Sequence, residues 1–313
     1  MEEVATRRPV IIAVMSGKGG VGKTTTCLGT ALALTEMGIK TAILDLDLEN
    51  PSLGTACGLT RADLGLGDLL IVPPRWQGIA IMSLSLLPME DFADAPTMVN
   101  EERKHEMIAQ MFKEVNWGDT QVLLVDLPPG SGEEARGLLS LNPDACLVVT
   151  APQGISEMAV RRLINMAEEY SIRVLGLIQN NINNLPGRGK RTDPESRPEW
   201  AGTRLAQRFN LPILGDIPWS PLILEGIETH QPFEASHFKR AARAIRKEFQ
   251  VESVSPREVL NLDDHDPAPD PAENILRDGS GPGQPVGDLP PDSGEGPPGG
   301  EAERAGEGAT APP

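Results

Sequence analysis

Apolar and polar positions alternate along this chain in blocks rather than residue by residue. The runs at 10–14 (VIIAV), 41–45 (TAILD), 79–84 (IAIMSL), 122–126 (VLLVD), 145–150 (ACLVVT), 174–180 (VLGLIQN) and 213–217 (ILGDI) are continuously apolar or nearly so. Continuous runs of this length are expected of strands covered on both faces. Segments at 23–37, 98–115, 157–169 and 199–209 lie between several of them and read as helices. The alternation predicts an α/β fold, a mostly parallel sheet with helices on both faces. Ligands of such sheets bind beyond the carboxyl ends of the strands, so the residues after each run are where chemistry is expected. One more stretch, 238–249, sets Phe238, Ala241, Ala242, Ile245 and Phe249 on one helical face with five basic residues around them. It reads as the last helix of the domain, packed on the sheet, rather than as a membrane-binding helix.

Composition shortens the folded part. Residues 261–313 hold 11 Pro, 10 Gly and 12 acids against two arginines, with no aromatic residue. Such a segment buries too little apolar surface to offset its ordering entropy, so it is expected to be a disordered acidic tail behind a single domain at 1–260. The tail contributes −10 of the formal net charge of −17. The remainder has no basic excess that would support nucleic-acid binding. No apolar run approaches the ~18–20 residues of a membrane span, and the opening MEEVATRRPV lacks the apolar stretch of a signal peptide. A cytoplasmic location is expected. Three scattered cysteines, Cys27, Cys57 and Cys146, fit reduced thiols; Cys57 is the one expected near a surface.

The first run opens onto GKGGVGKT, comprising Gly17, Lys18, Gly19, Gly20, Val21, Gly22, Lys23 and Thr24. This is G-x-x-x-x-G-K-[ST] between a strand and a helix, the context in which loop amides and a helix N-terminus cradle phosphate. Lys23 is expected to reach the β- and γ-phosphates of ATP and Thr24 to hold Mg²⁺ through its hydroxyl, with Thr25 near the α-phosphate. Two further runs end in acids. Asp126, followed by Leu-Pro-Pro-Gly, is the expected Walker B carboxylate for Mg²⁺, and Gly130 a candidate N–H donor to the γ-phosphate. Asp47 is the candidate that orients attacking water, and Asp45 a candidate support for the metal region. Asn180, which ends the 174–180 run, can donate to and accept from an adenine edge, with Pro218 closing over the ring.

Taken together, SGKGGVGKTTT, LDLDLENPSLG, IMSLSLL, VNWGDTQVLLVDLPPGSGEE, VTAPQGISEMAVRRLINM, VLGLIQNN and LPILGDIPWSP resemble the Mrp family of iron–sulfur cluster carrier ATPases over about residues 9–250. That family belongs to the group that includes MinD and ParA and carries the deviant P-loop motif with two lysines. The resemblance implies a homodimeric ATPase in which Lys18 crosses to the partner's nucleotide, and a cluster passed to apoprotein clients. It also implies a C-P-x-C cluster motif, and here the chain departs, because no cysteine follows Cys146. The aspartate that the resemblance implies after PPG is replaced by Glu133 or Glu134. A basic loop containing Arg188, Lys190, Arg191 and Arg197 stands where the cluster motif would lie. The alternative is a ParA- or MinD-like nucleotide switch that regulates a partner without a cluster.

Overall fold

The apolar runs become strands β1 (Val10–Ser16), β2 (Thr41–Asp45), β6 (Ile79–Ser83), β7 (Val122–Asp126), β8 (Ala145–Thr150), β9 (Val174–Asn180) and β10 (Ile213–Ile217). The computed structural model describes residues 8–47, 50–66, 70–87, 101–151, 157–180 and 201–260. The acidic tail and the basic loop at 188–197 lie outside the described residues, all of which fall within one unit, Met1–His265. With β5 (Arg75–Trp76), the strands form one sheet in the order β10-β9-β8-β1-β7-β2-β6-β5. Every neighbouring pair is parallel except β5 on β6.

Why the runs are continuous is visible in the packing. Along β1, Ile12 and Val14 join an apolar cluster on one face, while Ile11, Ala13 and Met15 join a second cluster on the other. The first face is covered by α1 (Lys23–Glu36) and α8 (Lys239–Phe249), through Leu28, Leu32, Ala241 and Ile245. The second is covered by α3 (Glu101–Glu114), α4 (Glu133–Ser140) and α5 (Glu157–Glu169), through Ile108, Leu138 and Leu163. Each large aliphatic side chain so buried contributes about 1.5–3 kcal/mol relative to exposure. Helix α6 (Ala201–Phe209) adds Leu205 and Ala206 to a smaller cluster with β8 and β9.

Helix α8 packs on the sheet as expected, but it is not the last helix, because α9 (Pro256–Val259) follows it. Phe238, Ala241, Ala242 and Ile245 are buried in the first cluster and Phe249 packs against it, leaving Arg243, Arg246 and Lys247 exposed. Among the described residues no helix is long and apolar enough to cross a membrane.

Short elements escaped the periodicity reading. A hairpin of β3 (Gly65–Leu66) and β4 (Ile71–Val72), the edge strand β5, and the helices α2 (Leu53–Ala56), α4, α7 (Pro221–Glu228) and α9 (Pro256–Val259) were not expected from the apolar pattern. Two-residue strands, one-turn helices and the eight-residue α4 and α7 are all shorter than the window of about 11–18 residues over which a helical period is read. The expected helices at 98–115 and 199–209 are observed as Glu101–Glu114 and Ala201–Phe209, with 98–100 and 199–200 outside the described residues.

Candidate functional site

Strand β1 ends at Ser16, and the chain turns through the glycine-rich loop to start α1 at Lys23. Two glycines are required by the geometry. Gly22 sits in the left-handed region with φ +92°, and a Cβ there would lie 2.0 Å from Asn180 Nδ2. At Gly17, a Cβ would lie 2.7 Å from both Ala159 Cβ and the Val160 nitrogen of α5. The Ser16 hydroxyl donates to the Lys18 carbonyl at 2.9 Å and tightens the turn. The loop forms one wall of a cavity of about 790 Å³, with Gly19, Gly20, Gly22, Lys23, Thr24 and Thr25 on that wall. Asp47, Asn50 and Ser52 face them from one side, and Pro128, Pro129, Gly132, Glu133 and Glu134 from another.

Sheet register brings the acids together. Asp45 and Asp126 are direct partners across β2 and β7. The Thr24 hydroxyl donates to Asp126 Oδ2 at 2.6 Å, while Asp126 Oδ1 is buried without a hydrogen-bond partner. Burial pushes the Asp126 carboxyl up to about 7; the Thr24 bond and the Lys23 charge pull it down, and Asp45 pushes it further up. An oxygen-rich pair of this kind, one hydroxyl and one carboxylate with an orphaned buried oxygen, fits a hard divalent cation.

The sign of the Asp126 shift sets a pH dependence. Its folded-state value exceeds the ordinary carboxylate value, so the folded protein binds a proton that the unfolded chain has already released. The stabilisation is complete below the unfolded value of about 4 and is lost as pH rises through about 7. The melting temperature of the nucleotide-free protein is therefore expected to fall between about pH 5 and pH 8, and Asp126→Asn to flatten that fall. Equal slopes in the two proteins would place the titrating proton elsewhere.

Several expected residues take different duties. Asp45 is 1 % exposed, and its oxygens accept from the amides of Asp47, Ser52 and Leu53 and from the Ser83 hydroxyl, all at 3.0 Å. It anchors the loop after β2 instead of offering free oxygens to a metal, because the chain folds back over its carboxylate. Gly130 donates its N–H to the Ser16 carbonyl at 2.8 Å, so in this conformation that N–H is not presented to a phosphate. Asn180 is 5 % exposed, and its amide nitrogen donates to the Val21 carbonyl at 2.8 Å, which makes it a brace behind the P-loop. Pro218 follows Ile217, the register partner of Asn180, at the sheet edge.

Asp47 does line the cavity, and its Oδ1 accepts from the Asn50 amide at 3.0 Å. Lys18 is exposed and lies off the cavity wall, whereas Lys23 is only 8 % exposed and lies on it.

None of the cysteines is available as folded. Cys57 is 4 % exposed, not superficial, because it closes α2 and enters the same apolar cluster as Cys27. Burial pushes the Cys57 and Cys146 thiols up to about 12, and that of Cys27 well above its ordinary value. Iron–sulfur clusters are held by thiolates, and three separated, buried, protonated thiols do not fit one.

The apolar pattern gave no notice of Ser83 or of the Asn50 and Ser52 wall. A serine at the end of an apolar run looks like an ordinary strand terminus until the neighbouring strand puts a carboxylate beside it. Glu134, one of two candidates after PPGSG, is 6 % exposed and, like Glu133, lines the cavity.

A phosphate-sized loop, a lysine at its helical end and a threonine–aspartate pair beneath it, all at the carboxyl ends of adjoining parallel strands, define a P-loop nucleotide-binding protein. The chain belongs to the NUBPL iron-transfer P-loop NTPase family of the ParA group, whose model matches residues 8–251. It is 36 % identical over 234 residues to the cytosolic Fe-S cluster assembly factor CFD1 of Kluyveromyces lactis, covering 72 % of this chain and 82 % of that one. It is 33 % identical over 234 residues to the iron-sulfur cluster carrier protein of Saccharolobus solfataricus, covering 72 % and 76 %. Among solved structures, a nucleotide-binding protein from Archaeoglobus fulgidus in complex with ADP superposes with a TM-score of 0.57 at 29 % identity, covering 71 % of this chain and 86 % of that one. The cell division ATPase MinD of Pyrococcus furiosus, at a TM-score of 0.55 and 23 % identity over 77 % and 100 % of the two chains, shares the fold.

Proposed function

We propose that this chain is a Mg²⁺-dependent ATPase that works as a homodimer in cytoplasmic iron–sulfur cluster assembly. The observation that carries the nucleotide reading is the Thr24–Asp126 pair under the loop, with one carboxylate oxygen buried and unpartnered. Thr24 and Asp126 would hold Mg²⁺, which neutralises charge on the phosphate oxygens when bound. Lys23 and the loop amides would hold the phosphates. Asp47 would orient a water for addition to the γ-phosphorus, with the bond to the β-phosphate oxygen breaking to leave ADP and inorganic phosphate. Lys18, exposed beside the cavity, would reach the nucleotide of a second copy. Asn180, bracing the loop, and Pro218 beyond it would flank the base.

The assembly reading draws on the names of the relatives, which include cytosolic Fe-S assembly factors and a cluster carrier. In this reading the cluster is cargo, and its thiolates come from another polypeptide, since those of this chain are buried. The same burial favours a second reading, a nucleotide switch that binds a protein partner and carries no cluster. Anaerobic incubation of the full chain with iron, sulfide, Mg²⁺ and ATP tests the proposal. Phosphate release that needs Mg²⁺, with iron far below one cluster per dimer, is expected for the chain alone. A stoichiometric cluster would overturn the assignment of the thiolates, and no phosphate release would overturn the ATPase.

A further inference from the structure

Across the carboxyl edge of the sheet, Ser83, Asp45 and Asp126 stand side by side on β6, β2 and β7, as successive register partners. Asp126 serves the P-loop through Thr24. Asp45 serves the other wall of the cavity, because it accepts from the amides of Asp47, Ser52 and Leu53, and Asp47, Asn50 and Ser52 line that wall. Among the described residues the one side chain that donates to Asp45 is Ser83, at 3.0 Å, and its hydroxyl is also 2.9 Å from that of Ser85. Ser85 in turn lies tight against α2, where a Cβ on Gly54 would be 2.5 Å from its Oγ. Both Asp45 and Ser83 are at most 1 % exposed, so water cannot replace the hydroxyl if it is lost.

We propose that Ser83 is a positioning residue for hydrolysis: its hydroxyl fixes the Asp45 carboxylate, which holds Asp47 and the 50–53 wall at the phosphate end of the cavity. Ser83 touches no nucleotide. It acts through Asp45, whose rotation would release the Asp47 amide at one oxygen and the Ser52 and Leu53 amides at the other. The inference rests on the ATPase reading for its kinetic consequence, but its structural consequence can be read without any turnover.

The test compares the full chain with Ser83→Ala and Ser83→Thr in two measurements. Steady-state phosphate release is expected to show kcat about tenfold lower in Ser83→Ala with KM for ATP changed less than about twofold, the scale of one hydrogen bond to a charged group. Amide hydrogen exchange is expected to quicken about tenfold at Asp47, Ser52 and Leu53 while the strands of the sheet stay as protected as before. Ser83→Thr, which keeps the hydroxyl, restores both. Unchanged exchange at those three amides overturns the proposal, as does faster exchange spread over the whole sheet with a lower melting temperature, which would make Ser83 a general core residue. If the parent protein releases no phosphate, the ATPase reading fails by itself, and the exchange comparison still decides the role of Ser83.

Discussion

Lys23→Ala is expected to lower ATP affinity and turnover together, with turnover down by about a hundredfold to a thousandfold. The side chain starts α1, is 8 % exposed and lies on the cavity wall. Among the described residues no carboxylate lies within ion-pairing distance of its ammonium, although Asp126 is close enough to feel its charge. A cation kept inside a loop of backbone amides has an anion as its natural partner, and phosphate charge developing in hydrolysis is the strongest anion available there. Titration calorimetry with a slowly hydrolysed ATP analogue checks the affinity, and phosphate release checks the rate. The substitution removes only a side chain at a helix start, so the thermal transition is expected to remain cooperative. Lys18→Ala provides the contrast: affinity within a few fold of the parent and a lower rate, as expected of a lysine that acts on a neighbouring copy. Wild-type affinity in Lys23→Ala would mean that the cavity is not the nucleotide site.

The second large effect is expected at Gly22. Alanine there meets two costs at once. The left-handed backbone with φ +92° is unfavourable for any residue with a Cβ, by about 1–2 kcal/mol. The new methyl would also lie 2.0 Å from Asn180 Nδ2, so the amide must leave its bond to the Val21 carbonyl or the loop must move. A buried donor without a partner costs about 1–3 kcal/mol more. The sum of about 3 kcal/mol corresponds to a melting temperature lower by roughly 6–12 °C for a domain of this size. Nucleotide affinity is expected to fall with it, since Gly22 lines the cavity proposed to hold the phosphates. Adding Asn180→Ala to Gly22→Ala is expected to recover part of the stability by removing the clash, although Asn180→Ala alone destabilises. Wild-type melting in Gly22→Ala would show that the loop adjusts freely, contrary to the packing of Asn180 behind it.

The places of the long strands along the chain were legible because both faces of a parallel sheet are covered, and a strand buried on both sides needs apolar residues at every position; their order in the sheet was not. β2, β7 and β8 match their runs residue for residue. The loop was legible for a local reason: glycines, lysine and threonine at fixed spacing after a strand perform their chemistry with neighbouring backbone, so the whole motif lies in consecutive residues. Asp126 was legible because a carboxylate after four apolar strand residues is costly unless something binds it.

Roles that depend on neighbours distant in sequence were another matter. Asp45 and Asp47 look alike as two acids spaced by one residue, yet one is covered by four donors and the other faces the cavity. The covering donors are the amides of Asp47, Ser52 and Leu53 and the hydroxyl of Ser83, 38 positions away, which only strand pairing sets beside Asp45. Asn180 has the chemistry to read a base edge, but the approach of β9 to the P-loop directs its amide nitrogen to Val21, 159 positions earlier. Cys57 stands in a polar-looking stretch, GTACGLT, and is buried because one turn of helix, too short to leave a periodic signal, folds it onto the core. The sequence by itself determined the class of fold and the glycine-rich loop with its lysine and threonine, since these follow from continuous burial and from contacts between near neighbours. The tertiary structure alone decided which acid is covered by donors, which keeps an unpartnered oxygen, which faces the cavity and which thiols are shielded, because a polar atom's duty is set by the donors and the water that the rest of the chain leaves within its reach.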